Sequence, residues 1–370
     1  MIYLDNAATS FPKPDCVIKE VNRCIKKYCA NSGRSSHSLA IKTDEEIYRA
    51  RESIASLLSI DTPERVCFTQ NTTYALNLAI KTTLREKCHV LISDLEHNSV
   101  LRPLYKLKCT LGIEYSIFST DGNIEENIKK LIRHDTRAII STLMSNVTGA
   151  TVPISVLSKI AKDNGLILIV DAAQYIGHQK IDLSLFPCNV LCAPAHKALF
   201  GLQGCGFAVF LDNIPRESFI EGGSGSESKR QGMPDYLPER FEAGTLPTPS
   251  IVALRSGIEY IEEIGYAAID EHLSGLCAEY SEMIRSIKGT EIFGAGGGII
   301  SFRIKGVPSH MVAELLDKYG ICVRSGLHCA PLAHKKLGTS DSGLVRISFS
   351  WLSKKTDIDV FYKALREINP

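Results

Sequence analysis

No run of about 18 consecutive apolar residues, the length a helix needs to cross a bilayer, occurs in the chain, so no membrane segment is expected. Nor is there an excess of one charge. Forty-two Lys and Arg against 41 Asp and Glu leave a formal net charge of +1, which removes the bulk electrostatic case for binding nucleic acid or an anionic membrane. The opening residues, MIYLDNAATSFPKP, lack a basic stretch followed by an apolar one. They do not read as a secretory signal, and a cytoplasmic location is expected. None of the 12 cysteines forms a CxxC pair. A zinc site needs paired ligands at short spacing, and a disulfide scaffold is out of place in a long chain without a secretory signal. No metal is therefore expected, and most of the cysteines read as small buried apolar residues. One or two are left for chemistry.

The 370 residues suit a large domain with a smaller partner. Helical and strand patterns alternate from roughly residue 40 to residue 212. Residues 43–60 place Ile47, Ala50, Ile54, Leu57 and Leu58 at helical spacing. Short apolar runs follow: HVLIS (89–93), IEYSIF (113–118), RAIIST (137–142), LILIV (166–170), NVLCA (189–193) and GFAVFL (206–211). Separated by helical stretches such as 154–164, they read as buried parallel strands of an α/β unit. Ligands of such sheets bind beyond the carboxyl ends of the strands, so the residues just after each run are the candidates for chemistry. Residues 213–250, rich in Gly, Ser, Pro and charge, read as a long functional loop. Helical patterns resume over 249–264 and 267–288. A glycine cluster at 294–298 then turns into a strand, IISFRI, with helices near 311–319 and 356–368. This is an α+β layout and reads as a second domain. The GGSGSES stretch (222–228) opens no helix after a strand, so it is not a nucleotide loop.

The densest signal runs from Asp171 to Gly206. LILIVDAAQ ends a strand on the carboxylate of Asp171. Such a group also caps helices, but at a strand end it can keep a ring nitrogen protonated. One strand later stands Ala195-His196-Lys197, followed by a glycine turn (Gly201, Gly204, Gly206). A desolvated lysine near a carboxylate is what pyridoxal phosphate (PLP) requires: a Schiff base on Lys197 and a charged pyridinium as electron sink. Upstream, CFTQNTTYALNLAI turns from strand to helix at Asn71-Thr72-Thr73. Free backbone N–H groups and two hydroxyls there suit a phosphate. His97, in SDLEHNSV, lies just past a strand, where a flat imidazole can stack on a pyridine ring. Asn146 and Gly149, in SNVTGA, occupy the equivalent place after another strand.

Taken together, YLDNAAT, FTQNTT, EHNSV, SNVTGA, VDAAQ, AHK, FEAGT and VRSGLHCAP make the whole chain resemble the class V aminotransferase superfamily of PLP fold type I. Within it the chain is similar to the cysteine desulfurases and selenocysteine lyases. The resemblance implies an α/β fold: a large domain (16–250) with a mostly parallel seven-stranded sheet flanked by helices, and a smaller α+β domain (1–15 and 251–370). It assigns Lys197 as the cofactor lysine, Asp171 as the pyridinium partner, His97 as the stacking ring and Gln174 as the partner of the ring hydroxyl. Thr72, Thr73 and His196 would hold the phosphate. Thr245, in FEAGT, would reach the phosphate of a neighbouring subunit, which implies a homodimer with shared active sites. Asn146 and Arg346 would hold the substrate carboxylate, Asn146 also facing the ring oxygen, and Arg suits this role through its bidentate fork. One departure stands out. The position two residues before His196 usually carries a phosphate-binding hydroxyl, and here it is Pro194.

The choice of reaction rests on VRSGLHCAPLAHKKLG (323–338). Cys329 lies on a short polar loop beside His328 and near Arg324, both expected at the substrate, and positive neighbours raise the thiolate fraction of a thiol. The pattern resembles group II desulfurases, whose cysteine sits on a short loop. The implied reaction converts L-cysteine to L-alanine, with Lys197 as the base and Cys329 taking the sulfur as a persulfide for an acceptor protein, such as a scaffold for iron–sulfur clusters. Selenocysteine lyase and cysteine or cystine C–S lyase share the same site. A PLP-binding sulfur-carrier partner without activity is the reading from a different class.

Overall fold

The computed structural model describes residues 1–33, 36–212 and 217–368. A two-residue strand β1 (Ile2–Tyr3) precedes helices α1 (Asp15–Lys27) and α2 (Ser38–Leu57). Then come β2 (Val66–Thr69), α3 (Thr72–Thr83), β3 (His89–Ser93), α4 (Asn98–Leu111), β4 (Glu114–Phe118), α5 (Ile124–Lys129), β5 (Thr136–Thr142), α6 (Ile154–Asp163), β6 (Ile167–Asp171), β7 (Val190–Pro194) and β8 (Gly206–Phe210). Seven strands form one sheet in the order β2-β8-β7-β6-β5-β3-β4.

Most of the apolar runs bury both faces of this sheet, as expected where helices cover each side; the IEYSIF run is instead the edge strand β4, with Glu114 and Ile117 exposed. Alternate residues serve opposite faces. Val90 and Ile92 pack with Ala75, Leu78 and Leu104 of α3 and α4. Leu91, Ile139 and Leu168 belong to a second core with Ile54 of α2 and Leu157 of α6. One run departs from the expected direction: β8, the GFAVFL strand, is antiparallel to both β2 and β7. Only residues 195–205 join β7 to β8 and they form no helix, whereas a parallel return needs a crossover of a dozen or more residues. The sheet therefore remains mostly parallel.

After the long segment comes α7 (Thr248–Ile264), then α8 (Tyr266–Ser286), β9 (Thr290–Gly296), β10 (Ile299–Ile304), α9 (Ser309–Lys318), β11 (Ile321–Cys322), β12 (Arg324–Gly326), α10 (Pro331–Lys336), β13 (Leu344–Ser348) and α11 (Ile358–Ile368). Strands β12-β13-β10-β9 form an antiparallel sheet. β1 pairs in parallel with β11, and Leu4 continues the contact by hydrogen bonds to Cys322 and Ser348. The N-terminal residues thus join the C-terminal part of the chain. The glycine cluster is only partly a turn. Gly297 and Gly298 turn the chain at positive φ, but Gly294 and Gly296 lie within β9. A Cβ on Gly294 would stand 2.5 Å from Cβ of Thr148. The strand is glycine-rich there because the SNVTGA loop presses on it.

Candidate active site

The strand ends converge on one cavity. It is lined by Thr72 and Thr73 after β2, His97 and Ser99 after β3, and Asn146 after β5. Asp171, which ends β6, lines it too, with Gln174, His196 and Lys197 from the segments that follow β6 and β7. Eight of the residues singled out by motif therefore share one wall, because parallel strands deliver their carboxyl ends to the same edge of the sheet. A larger cavity, about 650 Å³, lies beside α2 and is lined by Arg51, Glu64, Glu239 and Glu242. It holds no lysine and none of those eight residues; of the motif segments only FEAGT reaches it, through Glu242 and Gly244.

Lys197 and Asp171 form the electrostatic centre. Burial pulls the Lys197 amine down to about 8, opposed by the Asp171 carboxylate and helped by Arg346 and Arg324. Asp171 is pushed up by burial, while its contact with the Ala173 N–H and the charge of Lys197 act in the other direction. That N–H donates to Oδ1 at 2.9 Å. The amine is thus a reachable base near neutral pH, beside a carboxyl that gains from a cation placed next to it.

His97 is the N-cap of α4. Its Nδ1 accepts from the Ser99 N–H at 3.1 Å and lies 2.8 Å from the Ser99 hydroxyl. Burial, then the charges of Lys197 and the nearby arginines, lower it to about 4. A neutral ring whose Nδ1 is an acceptor carries its proton on Nε2. At the start of α3, Asn71 caps the helix by accepting from the Tyr74 N–H at 2.9 Å. The Thr73 and Ser99 hydroxyls are 2.7 Å apart. Gln174 donates from Nε2 to the Ala7 carbonyl at 2.9 Å, which leaves its oxygen and one N–H for a ligand.

The residues fit PLP on three observations. His196 Nδ1 is buried with no partner among the described residues, an acceptor or donor waiting for a polar group. A Cβ on Gly206 would stand 2.8 Å from the Asn71 backbone, so glycine there lets the N-terminus of α3, whose Thr72 and Thr73 N–H groups have no partner within the helix, close onto the cavity. The Thr72, Thr73 and Ser99 hydroxyls line the same cavity. Pro194 ends β7 opposite Gly206 and supplies no hydroxyl. Ser99 brings one to the neighbourhood, and its only sequence signal was its place two residues after His97.

Of the four residues expected at the substrate, Asn146 follows β5 of the large sheet, while Arg346, Arg324 and His328 come from the smaller sheet and the turn after it. Arg346 of β13 is 2% exposed. It donates to the Asn146 carbonyl at 2.9 Å and to Asp5 at 2.8 Å, while its Nε finds no partner among the described residues. Asp5, in YLDNAAT, was not singled out by sequence. Arg324 is exposed. Asn146 donates from its side chain to the His328 carbonyl at 2.7 Å. The His328 ring is buried and does not act as a positive neighbour: burial and Arg346 lower it to about 3, so it is neutral. The expected cation beside Cys329 is therefore not His328.

Cys329 is exposed and lies on a turn between β12 and α10. His328 and Cys329 both take positive φ, 51° and 56°, and the Ala330 N–H donates to the Leu327 carbonyl at 2.9 Å. Each non-glycine residue in this region costs about 1–2 kcal/mol, so the turn must be held by its surroundings. The Asn98 N–H, next to His97, donates to the Cys329 carbonyl at 2.8 Å. The turn is thereby fixed to the start of α4, at the cavity rim. Thr245 is exposed and lies outside the cavity of its own chain.

Known proteins carry the same layout. The sequence profile of the family described as Aminotransferase class-V matches residues 2–361. The chain belongs to the class-V aminotransferase family. Members of that family depend on PLP. The chain is 32% identical to a probable cysteine desulfurase of Methanothermobacter thermautotrophicus, over 99% of this chain and 94% of that one. A probable cysteine desulfurase of Pyrococcus abyssi is 30% identical over 100% and 94%. The apo structure of cysteine desulfurase from Thermococcus onnurineus NA1 superposes with a TM-score of 0.88 at 29% identity, covering 100% of this chain and 94% of that chain.

Proposed function

We propose that the chain is a cysteine desulfurase that converts L-cysteine to L-alanine and carries the sulfur on Cys329. The observation that supports this most directly is the meeting of two sets of residues. Lys197 and Asp171 face one cavity, and the Cys329 turn is hydrogen-bonded to the helix that begins at His97. Under this reading Lys197 would hold PLP, Asp171 its ring nitrogen, Gln174 its ring hydroxyl, and Thr72, Thr73 and His196 its phosphate, with the neutral His97 ring against the pyridine. Bound PLP supplies an electron sink for the substrate carbon next to the amine.

The remaining steps belong to the protein. Asn146 and Arg346 hold the substrate carboxylate, and the unpartnered Nε–H of Arg346 is one of the donors left for it, since a guanidinium has five N–H groups. The Lys197 amine, neutral above a pH of about 8, takes the proton from the substrate carbon and returns it later. The Cys329 thiolate attacks the substrate sulfur. An S–S bond forms as the C–S bond breaks, the carbon fragment keeps the electron pair and takes up protons, and L-alanine leaves. Sulfur stays on Cys329 as a persulfide for an acceptor protein in the cytoplasm.

The reading also carries a division of the chain, with residues 16–250 bearing the cofactor cavity and residues 1–15 and 251–370 bearing Arg346 and Cys329. It includes a homodimer in which Thr245 completes the neighbouring subunit's phosphate site. The exposure of Thr245 outside its own cavity supports that role.

Incubating the PLP-loaded protein with L-cysteine and a thiol reductant tests the reaction. Alanine and sulfide are expected in equal amounts, with both lost in Cys329→Ala. Pyruvate and ammonia in place of alanine would indicate a C–S lyase. Release of alanine from selenocysteine but not cysteine would indicate a selenocysteine lyase. Absence of any product, or full activity in Cys329→Ala, would refute the proposal.

A further inference from the structure

His334 lies five residues past Cys329, within α10, and has no part in the mechanism above. It is completely buried, an unusual place for an imidazole without a task. Its ring stacks on that of His328, with centroids 5.5 Å apart and planes 21° from parallel. His334 Nε2 and His328 Nδ1 are 3.3 Å apart. On the far side, His334 Nδ1 is 2.8 Å from the Thr339 hydroxyl. His328 Nε2 lies 3.4 Å from the Arg324 carbonyl.

The Thr339 hydroxyl also lies 3.5 Å from the His334 carbonyl, and the direction of hydrogen bonding is set from the other end, at the Arg324 carbonyl. A carbonyl accepts only, so His328 carries its proton on Nε2, and its Nδ1 is an acceptor. His334 must then donate from Nε2, which leaves its Nδ1 to accept from the Thr339 hydroxyl. Burial lowers the pKa of both rings, so both remain neutral and the chain of donors is intact. It runs from Thr339 through His334 and His328 to the strand that bears Arg324.

The chain of contacts ends inside the turn that presents the nucleophile. Two backbone anchors act on that turn from the cavity side, Asn146 on the His328 carbonyl and the Asn98 N–H on the Cys329 carbonyl. The stack on His334 anchors the His328 side chain from the other side. We propose that His334 is a positioning residue for Cys329. Through His328 it holds the two consecutive left-handed residues of the turn that bears the thiol, with Thr339 fixing its tautomer. The proposal rests on the desulfurase reading for its kinetic consequence, but not for its structural one.

A double-mutant cycle on the PLP-loaded protein tests it, using His334→Leu, His334→Gln, His328→Gly and the His328→Gly/His334→Leu pair. Glycine takes positive φ without steric cost, so with Gly at 328 the turn no longer depends on the stack. His334→Leu is expected to lower the kcat for alanine formation about 100-fold, the usual consequence of a nucleophile displaced by about 1 Å. The KM for cysteine and the shift of the PLP absorbance band on adding cysteine should be retained. His334→Gln, whose amide can donate to His328 Nδ1, should recover part of the loss. In the His328→Gly background the same leucine should cost little more. Alkylation of Cys329 by iodoacetamide, read by peptide mass spectrometry against exposed Cys109, should change in His334→Leu and be restored in His334→Gln.

The proposal fails if His334→Leu leaves kcat and alkylation unchanged, or if its cost is the same in the His328→Gly background. It fails too if the absorbance response disappears together with kcat, which would mark a general loss of structure. A wild-type protein that forms no alanine would refute the desulfurase reading, and the alkylation comparison would still decide the role of His334.

Discussion

Lys197 stands where burial and charge oppose each other, and its chemistry follows from the balance. A fully solvated lysine would be protonated through the physiological range. Desolvation brings the amine down to about 8 even though Asp171 pulls the other way. Only the neutral amine can attack a carbonyl, so apoprotein should take up added PLP at a rate that rises with pH through a midpoint near 8. Stopped-flow absorbance measures this directly, and a midpoint near 10.4 would contradict the burial argument. In Asp171→Asn the carboxylate that raises the lysine is gone, so the midpoint should move below 8. His97, at about 4, stays neutral throughout and adds no inflection in this range. Lys197, Asp171 and His97 were legible as residues because each is a distinctive type at a strand end. The meaning of His328 was not legible. Beside a cysteine it reads as a cation, whereas burial against His334 makes it a neutral strut.

Helix α7 shows how an element can obey a tertiary demand against its own propensity. Gly257 sits in its middle and is buried, where alanine would normally add about 1 kcal/mol of helix stability. Here a Cβ would stand 1.9 Å from the Leu199 carbonyl oxygen, two residues past Lys197. Gly257→Ala is therefore expected to destabilise the protein by about 1–3 kcal/mol through overpacking. Urea unfolding would show a lower midpoint, and a gain in stability would sink the explanation. The same reasoning applies to Gly294 in β9, where close approach of Thr148 turns a strand position into a glycine. Neither glycine has a sequence signal that separates it from a turn. The helix periods of α2, α7 and α8 were readable to within a few residues, while the direction of β8 depended on the length of its connection.

At the scale of the whole molecule, the site draws on two sheets, and by the dimer proposal on two chains. Mixing inactive variants tests the second part. If Thr245 serves the neighbouring subunit, then Lys197→Ala and Thr245→Val lesions fall in the same site of a mixed dimer. The other site of that dimer is intact. Unfolding and refolding the two variants together should restore activity to about a quarter of wild type, since half of the dimers are mixed and each has one good site of two. No recovery, or a single-chain species by sedimentation, would remove Thr245 from the shared site. Within one chain, the assembly across sheets runs through Arg346, which ties β13 to Asn146 of the large sheet and to Asp5 near the N-terminus.

Residue types and their spacing were enough to give the α/β class and to single out Lys197, Asp171 and the strand ends on which Thr72, His97, Asn146 and Asp171 lie. Apolar periodicity and the chemistry of side chains are local properties, and parallel strands bring their ends together without further instruction. Tertiary structure alone decided how the second half of the chain meets that edge. It decided that Arg346 is held by Asp5, that Gly294 yields to Thr148, and that Cys329 rides on a left-handed turn braced by buried histidines. Those features depend on close approach between segments far apart in sequence. Burial then sets the protonation of His328 and His334, a property that no neighbouring residue in the chain encodes.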